Sequence, residues 1–140
     1  MTETAGSCLC GAVIIRADPG DSVGACHCDI CRTWGGGPMF ALDGGNDVRF
    51  EGEDFISTHQ STEWAERGFC SKCGTHLFIR VKQSGRYILP TGLFDRDLPD
   101  LVFDHQIFVD QRPSYYCFAN ETREQTGPEV FAGFAANQSD

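Results

Sequence analysis

The sequence contains few basic residues: 11 lysines and arginines face 20 aspartates and glutamates, which gives a formal net charge of −9. A chain of this charge is repelled by nucleic acid phosphates. It also lacks any run approaching roughly 20 apolar residues, the length that spans a membrane, and residues 1–7 show no basic and apolar signal pattern. We therefore expect a soluble, cytoplasmic protein that binds neither nucleic acid nor membrane.

Stretches with the helical period of apolar residues are also scarce, whereas 16 glycines and 11 phenylalanines suit a mainly β protein with many turns. At 140 residues the chain is long enough to form one domain, residues 1–140, with a substantial core. Short β-branched and aromatic runs between turn signals favour antiparallel strands, with a short helix within 26–34. Strands are predicted at 12–16, 38–42, 48–50, 55–58, 62–69, 76–81, 87–89, 102–109 and 115–118, before a polar C-terminal tail at 119–140.

The clustered cysteines are odd in number, which does not suit a set of disulfides. Seven of the eight fall into three groups, which are Cys8 and Cys10, then Cys26, Cys28 and Cys31, then Cys70 and Cys73. In a reducing compartment, clustered thiols indicate metal binding or catalysis before disulfides. Seven thiols divide naturally as four plus three. Four thiolates close a structural zinc site, whereas three leave one coordination position for water or a substrate atom.

Cys70 and Cys73 are separated by two residues, so that both thiolates of one turn can face one ion. Gly74 follows and supplies the conformation that ends such a turn. A redox dithiol is the alternative, but that motif usually opens a helix, and a strand-like run follows here. Cys8 and Cys10 form a similar turn ahead of a strand. We predict that the two turns share one structural zinc, a kind of site that contributes about 10 kcal/mol or more in zinc peptides.

Cys26, Cys28 and Cys31 are then the candidate open site, although their spacing also allows them to pair with one of the two turns. Water, a substrate thiolate or a histidine would complete the coordination. His27 lies between two of these ligands and is expected to point away from the metal. The other candidate histidines are His59, His76 and His105. A second structural zinc is the alternative to an open site.

Zinc with three soft ligands favours sulfur chemistry, because it lowers the pKa of a bound thiol. A small thiol or thiol adduct is therefore the expected partner. Arg32, beside the glycines at 35–37, could pair with a substrate carboxylate; an ordinary solvated arginine is the alternative. Cys117 is expected to be a small buried hydrophobic residue.

With these motifs in view, the chain resembles the glutathione-dependent formaldehyde-activating enzyme (Gfa) family. The matching blocks occur in the family's order at residues 6–13, 26–32, 69–75, 92–95 and 105–109. The resemblance therefore covers the chain from residue 6 to about residue 118. The resemblance implies an Mss4-like, mainly β fold of antiparallel sheets stapled by zinc, with short helical turns.

The resemblance also implies the roles of the cysteines. Cys8, Cys10, Cys70 and Cys73 would hold a structural zinc, and Cys26, Cys28 and Cys31 an active-site zinc. The implied activity is that of a carbon–sulfur lyase, with glutathione as cosubstrate and S-(hydroxymethyl)glutathione as the type adduct. His27 or Asp29 could move the proton. Thr33 stands where the family often has a second basic residue. The alternative function is a non-catalytic zinc module that binds a thiol or a protein. The candidate catalytic residues are Cys26, His27, Cys28 and Cys31.

Overall fold

The structure is a computed structural model that describes residues 3–138, and the side chains of residues 3–133. The described residues contain two α-helices, α1 (Asp29–Gly35) and α2 (Gly127–Gln138), besides short 3-10 turns. Within residues 3–138, neither helix has the length and apolar character that a membrane span requires. The strands are β1 (Thr4–Ser7), β2 (Ile14–Ala17), β3 (Ser22–Cys26), β4 (Met39–Gly45), β5 (Arg49–Glu51), β6 (Ile56–Thr62), β7 (Ala65–Cys70), β8 (His76–Val81), β9 (Tyr87–Pro90), β10 (Val102–Ile107) and β11 (Arg123–Gln125).

The chain forms two compact units. The first contains the residues up to 21 together with 41–101, and the second contains 22–40 together with the residues from 102 onward. The mainly β fold is confirmed. That the chain is a single domain stays a prediction.

The first unit is built from antiparallel strands. β1, β2 and β5 form a three-stranded sheet, and the part of β4 from Ala41 onward pairs with β9, followed in order by β8, β7 and β6. Burial alternates as in a half-buried sheet: Ile15 and Ala17 of β2 are buried, and Arg16 between them is exposed. The apolar core of this unit includes the fully buried side chains of Val13, Ile15, Leu42, Leu77 and Leu89.

The second unit is built around β10, which pairs in parallel with β3 on one side and with β11 on the other. This pairing sets Ile107 beside Cys26, and the amide of His27 donates to the carbonyl of Ile107 at 3.1 Å. α1 follows directly after the end of β3. The parallel pairs were not predicted, since short strands with polar neighbours are more typical of antiparallel sheets.

The predicted strands are largely confirmed, but residues 115–118 form an irregular segment and not a strand. Tyr116 and Phe118 instead direct their rings onto His27, with ring centroids 5.4 and 5.9 Å away. β3 was missed because it contains glycine and alanine in place of bulky residues. A Cβ on Gly24 would lie 2.1 Å from Nε2 of His105, so this position of the strand requires glycine unless the imidazole moves.

The region predicted as a polar tail, 119–140, contains β11 and α2. The ring of Phe131 on α2 packs edge-on against Phe108 with centroids 5.7 Å apart. The amide of Gly127 donates to the carboxylate of Asp110 at 2.8 Å at the start of the helix. These contacts explain why a polar segment with little apolar character is ordered.

Gly52 provides a stability prediction. It has φ +81°, and a Cβ there would lie 1.8 Å from the carbonyl oxygen of Ala12, whereas Gly20, with φ +69°, has nothing within 4 Å of an added Cβ. Gly20→Ala should cost only the left-handed conformation, about 1 kcal/mol. Gly52→Ala adds a backbone clash and should lower the free energy of unfolding by at least about twice as much. Denaturant unfolding of both variants checks this, and equal losses would contradict it.

Candidate functional site

The first candidate metal centre brings together the four cysteines of the two predicted turns. The sulfur atoms of all four lie within 4.8 Å of one another, with Cys8 and Cys10 at 3.6 Å and Cys10 and Cys70 at 3.8 Å. Cys8 and Cys70 are buried, Cys73 is half-buried and Cys10 is exposed. Four sulfurs this close could hold one metal ion.

Each turn is closed by a glycine in the left-handed region. Gly11, with φ +80°, donates to the carbonyl of Cys8 at 3.0 Å, and Gly74, with φ +79°, donates to the carbonyl of Cys70 at 2.8 Å. Thr75 connects the two turns, because its hydroxyl accepts from the amide of Leu9 at 3.1 Å. This geometry is why two distant segments of chain present converging thiols.

Hydrogen bonds in these turns favour ionised sulfur at Cys8 and Cys73, whereas desolvation and the neighbouring sulfurs raise the pKa of Cys10 to about 11. The hydroxyl and backbone amide of Thr75 lower the pKa of Cys73 to about 5. The amide of Val13 donates to the sulfur of Cys8 at 3.3 Å. Donors aimed at sulfur stabilise the thiolate, which is the form that binds a metal. The turns are therefore suited to ligation and not to inert thiols.

The second candidate centre brings together the three remaining clustered cysteines. The sulfurs of Cys26, Cys28 and Cys31 lie within 4.8 Å of one another, and no His, Asp or Glu ligand atom of residues 3–138 joins the group. Cys26 ends β3, and Cys28 precedes α1 and accepts from the amide of Cys31 at 3.3 Å. Cys31 is buried within α1, and the other two are half-buried.

Three adjacent thiols cannot all ionise without a cation between them. Hydrogen bonds from Cys26 and Cys31 lower the pKa of Cys28, whereas those that involve Cys28 and Cys31 raise the pKa of Cys26. One thiolate is therefore stabilised at the expense of its neighbours. A divalent cation removes this conflict, and an all-sulfur donor set suits zinc. The residues fit a zinc ion with one coordination position left to another ligand.

His27 does not belong to either group of sulfurs. Its ring is fully buried, Nδ1 lies 2.6 Å from the hydroxyl of Tyr116, and Nε2 lies 2.7 Å from Oε1 of Gln106. Burial lowers the pKa of its imidazole. His59, His76 and His105, the other candidate fourth ligands, also lie outside both groups.

Gln106 and Tyr116 are site residues that the sequence did not reveal. Gln106 on β10 is buried; its Nε2 donates to the hydroxyl of Thr122 at 2.9 Å, and its Oε1 accepts from Nη1 of Arg112 at 3.1 Å. The only signal was that Gln106 lies in the block 105–109, which the resemblance had marked without a role. Tyr116 is 89 residues from His27, and no local pattern connects the two.

Arg32 holds the loop that carries the three cysteines. Its Nε donates to the carbonyl oxygen of His27 at 3.0 Å, and its Nη2 pairs with Oδ1 of Asp29 at 2.5 Å. Asp29 is largely exposed, and its backbone amide donates to Oε1 of Gln111 at 2.8 Å. A guanidinium has five N–H donors, so several remain for a substrate carboxylate.

Cys117 is exposed, which corrects the expectation of a buried hydrophobic residue. That expectation assumed a strand at 115–118, in which alternate side chains would face a core. Because the segment is irregular, Tyr116 and Phe118 face His27 and Cys117 faces solvent. Among residues 3–138, it belongs to no group of three or more metal-ligating side chains.

The chain is similar over most of its length to a family of known proteins. The model of the family described as "Glutathione-dependent formaldehyde-activating enzyme" matches residues 3–111. A Schizosaccharomyces pombe protein named "Uncharacterized lyase" is 33% identical over 134 residues, covering 93% of this chain and 96% of that protein. A Halomonas elongata protein named "Putative glutathione-dependent formaldehyde-activating enzyme" is 29% identical over 140 residues, covering 92% and 87%. A crystal structure of a Rhodobacter sphaeroides protein is similar with TM-score 0.57 and 24% identity, over 69% of this chain and 96% of that one, which shows a shared fold.

Proposed function

Because this chain belongs to the glutathione-dependent formaldehyde-activating enzyme family, we propose that it is a zinc-dependent carbon–sulfur lyase acting on a small thiol adduct. The proposed cosubstrate is glutathione, the type adduct is S-(hydroxymethyl)glutathione, and the proposed location is the cytoplasm. The observation that carries the proposal is the group formed by Cys26, Cys28 and Cys31, whose sulfurs converge with no fourth ligand atom of residues 3–138.

The proposed reaction makes or breaks one carbon–sulfur bond. In the forward direction the thiol sulfur bonds to the carbonyl carbon of formaldehyde, the π electron pair moves to oxygen, and the proton of the thiol ends on that oxygen. The reverse direction regenerates thiol and aldehyde. When bound, zinc stabilises thiolate or alkoxide charge near neutral pH.

The protein's own residues prepare this position. Cys26, Cys28 and Cys31 would hold the active-site zinc, whereas the four cysteines of the two turns would hold a structural zinc. Arg32 fixes the loop between Cys26 and Cys31 through the carbonyl of His27. His27 has both ring nitrogens within hydrogen-bonding distance of protein atoms. We therefore assign it to orienting the site, and leave movement of the substrate proton to the exposed Asp29 or to water.

The test is the rate of adduct formation by the protein loaded with zinc. The adduct also forms spontaneously, so the rate must be compared with that of the same glutathione and formaldehyde concentrations without protein, for example by NMR exchange spectroscopy. A clear acceleration supports the lyase. Zinc-loaded protein that binds glutathione without accelerating the exchange would be a non-catalytic thiol-binding module, and the proposal would fail.

Arg32 provides a prediction about substrate binding. Arg32→Met should lower the activity with both glutathione and 2-mercaptoethanol, because the loop loses its contacts to His27 and Asp29. If Arg32 also pairs with a glutathione carboxylate, glutathione should lose about tenfold more, the equivalent of one charge-assisted hydrogen bond. Comparing kcat/KM for the two thiols checks this. Equal losses would limit Arg32 to holding the loop.

A further inference from the structure

The backbone on either side of Cys28 binds one short piece of chain, residues 107–111. The amide of His27 donates to the carbonyl of the first residue of this segment at 3.1 Å. The amide of Asp29 donates to the side-chain Oε1 of its last residue, Gln111, at 2.8 Å. A backbone amide can only donate, so the oxygen of this glutamine must be the atom that faces it. Both chain neighbours of Cys28 are therefore tied to the 107–111 segment.

The place where α1 begins affects two of the three converging sulfurs. Cys28 is the N-cap of α1, and its sulfur accepts from the amide of Cys31 within the first turn of that helix. The third sulfur belongs to Cys26 at the end of β3, which pairs with β10. The distance between this sulfur and the other two therefore depends on how α1 starts relative to β10. The hydrogen bond between Asp29, the first residue of α1, and Gln111 fixes that start.

Phe108 gives the 107–111 segment its shape. It has φ +56°, a backbone conformation that bulky residues rarely adopt, and its carbonyl accepts from the amide of Gln111 at 3.0 Å, which closes the turn. Its ring is buried: a Cβ on Gly127 would lie 3.1 Å from it, and Phe131 packs edge-on against it. Strained backbone of this kind persists only where the surrounding contacts enforce it. The turn is thus an anchored element against which α1 is positioned.

We propose that Gln111 is a positioning residue that sets how tightly the three-cysteine group holds its metal ion. It acts through the first turn of α1 and not by ligating the ion. The inference rests on the proposed function in one respect, which is that the three cysteines form a metal site. Without the side-chain oxygen, water takes the amide of Asp29 and α1 loses one tie to the turn after β10. Ion binding must then order the ligands itself, which lowers the affinity.

The test measures metal binding by the full chain and needs no activity. Cadmium replaces zinc at thiolate sites, and its NMR shift depends on the number of sulfur ligands, so the two groups of cysteines give separate signals. Gln111→Met removes the acceptor at similar side-chain length. In competition with a chelator, it should weaken cadmium binding by the three-cysteine group about fivefold, as the loss of one hydrogen bond allows, and move that signal alone. Gln111→Glu keeps an acceptor oxygen and should restore the affinity to within about twofold.

Gln125→Met is the matched control, because Gln125 is an exposed glutamine on β11 of the same compact unit. It should leave both cadmium affinities unchanged. A Gln111→Met protein with unchanged affinities overturns the proposal even if it unfolds more readily, because Gln111 would then serve only the fold. Equal weakening of both sites, or no recovery in Gln111→Glu, also overturns it.

Failure of the proposed function is distinguishable from failure of this inference. If the three-cysteine group of the wild-type chain binds no ion, both fail. If it binds an ion whose affinity does not depend on Gln111, only the inference fails. If the affinity depends on Gln111 but the zinc-loaded protein does not raise the rate of adduct exchange, only the lyase fails.

Discussion

Replacing Cys70 with serine is expected to lower the free energy of unfolding by more than about 4 kcal/mol when the protein contains zinc. Cys70 is fully buried, and its sulfur lies 3.8 Å from that of Cys10. Serine offers a hydroxyl that binds zinc poorly, so the variant loses a ligand and gains a buried polar group. The two turns would then lose the ion between them. Chemical denaturation with stoichiometric zinc measures the loss.

Cys117→Ser is the matched control for this prediction. It makes the same chemical change at an exposed cysteine outside both groups of sulfurs, and it should alter stability by less than about 0.5 kcal/mol. Hydrogen exchange at the amides of Gly74 and Val13, which lie in the turns, should speed up in Cys70→Ser only. If the two variants unfold at the same denaturant concentration, the four-cysteine centre does not stabilise the fold.

The two centres lie in different compact units. The four-cysteine group involves residues of the first unit, and the three-cysteine group involves residues of the second. A ligand lost from one group therefore removes cross-links from its own unit. This separation is the physical reason to expect that stability and activity respond differently to cysteine substitutions, although the chemical change is the same.

The sequence predicted the cysteine turns well because their geometry is local. A short spacing between thiols followed by glycine requires a turn with a left-handed residue, and Gly11 and Gly74 both have positive φ. The short helix in 26–34 was predicted because glycines on both sides of the segment limit its length, and α1 ends at Gly35. The strands of the antiparallel run contain the β-branched and aromatic residues that mark half-buried sheets.

The rest could not be predicted because it depends on contacts between distant segments. β3 contains Gly24, whose lack of a side chain leaves room for the imidazole of His105, 81 positions away along the chain. Tyr116 was assigned to a strand because aromatic residues favour strands, yet its hydrogen bond to His27 defines its position. A resemblance identifies which segments match but not which side chains meet. Such polar contacts across the fold are where a sequence pattern is least informative.

Replacing Cys31 with serine should reduce the proposed lyase activity by more than about a hundredfold. Losing a residue that only hydrogen-bonds to a metal ligand already costs about tenfold to a hundredfold, and a direct ligand should matter more. Cys31 provides one of the three converging sulfurs from within α1. With two thiolates left, the zinc proposed for this group should be lost, while the zinc proposed for the four-cysteine group remains. Zinc content should fall from two ions to one per chain. Metal analysis and the exchange rate measure the two effects on the same sample.

The comparison of Cys31→Ser with Cys70→Ser decides between an open and a structural second centre. Both residues are buried cysteines in groups of sulfurs, so the size and polarity of the change are matched. We expect Cys31→Ser to keep most of its stability, because the four-cysteine centre stays intact, and to lose activity. If Cys31→Ser instead unfolds as readily as Cys70→Ser, then the three cysteines hold a second structural zinc. The three-cysteine group would in that case serve the fold, and the lyase would need a different site.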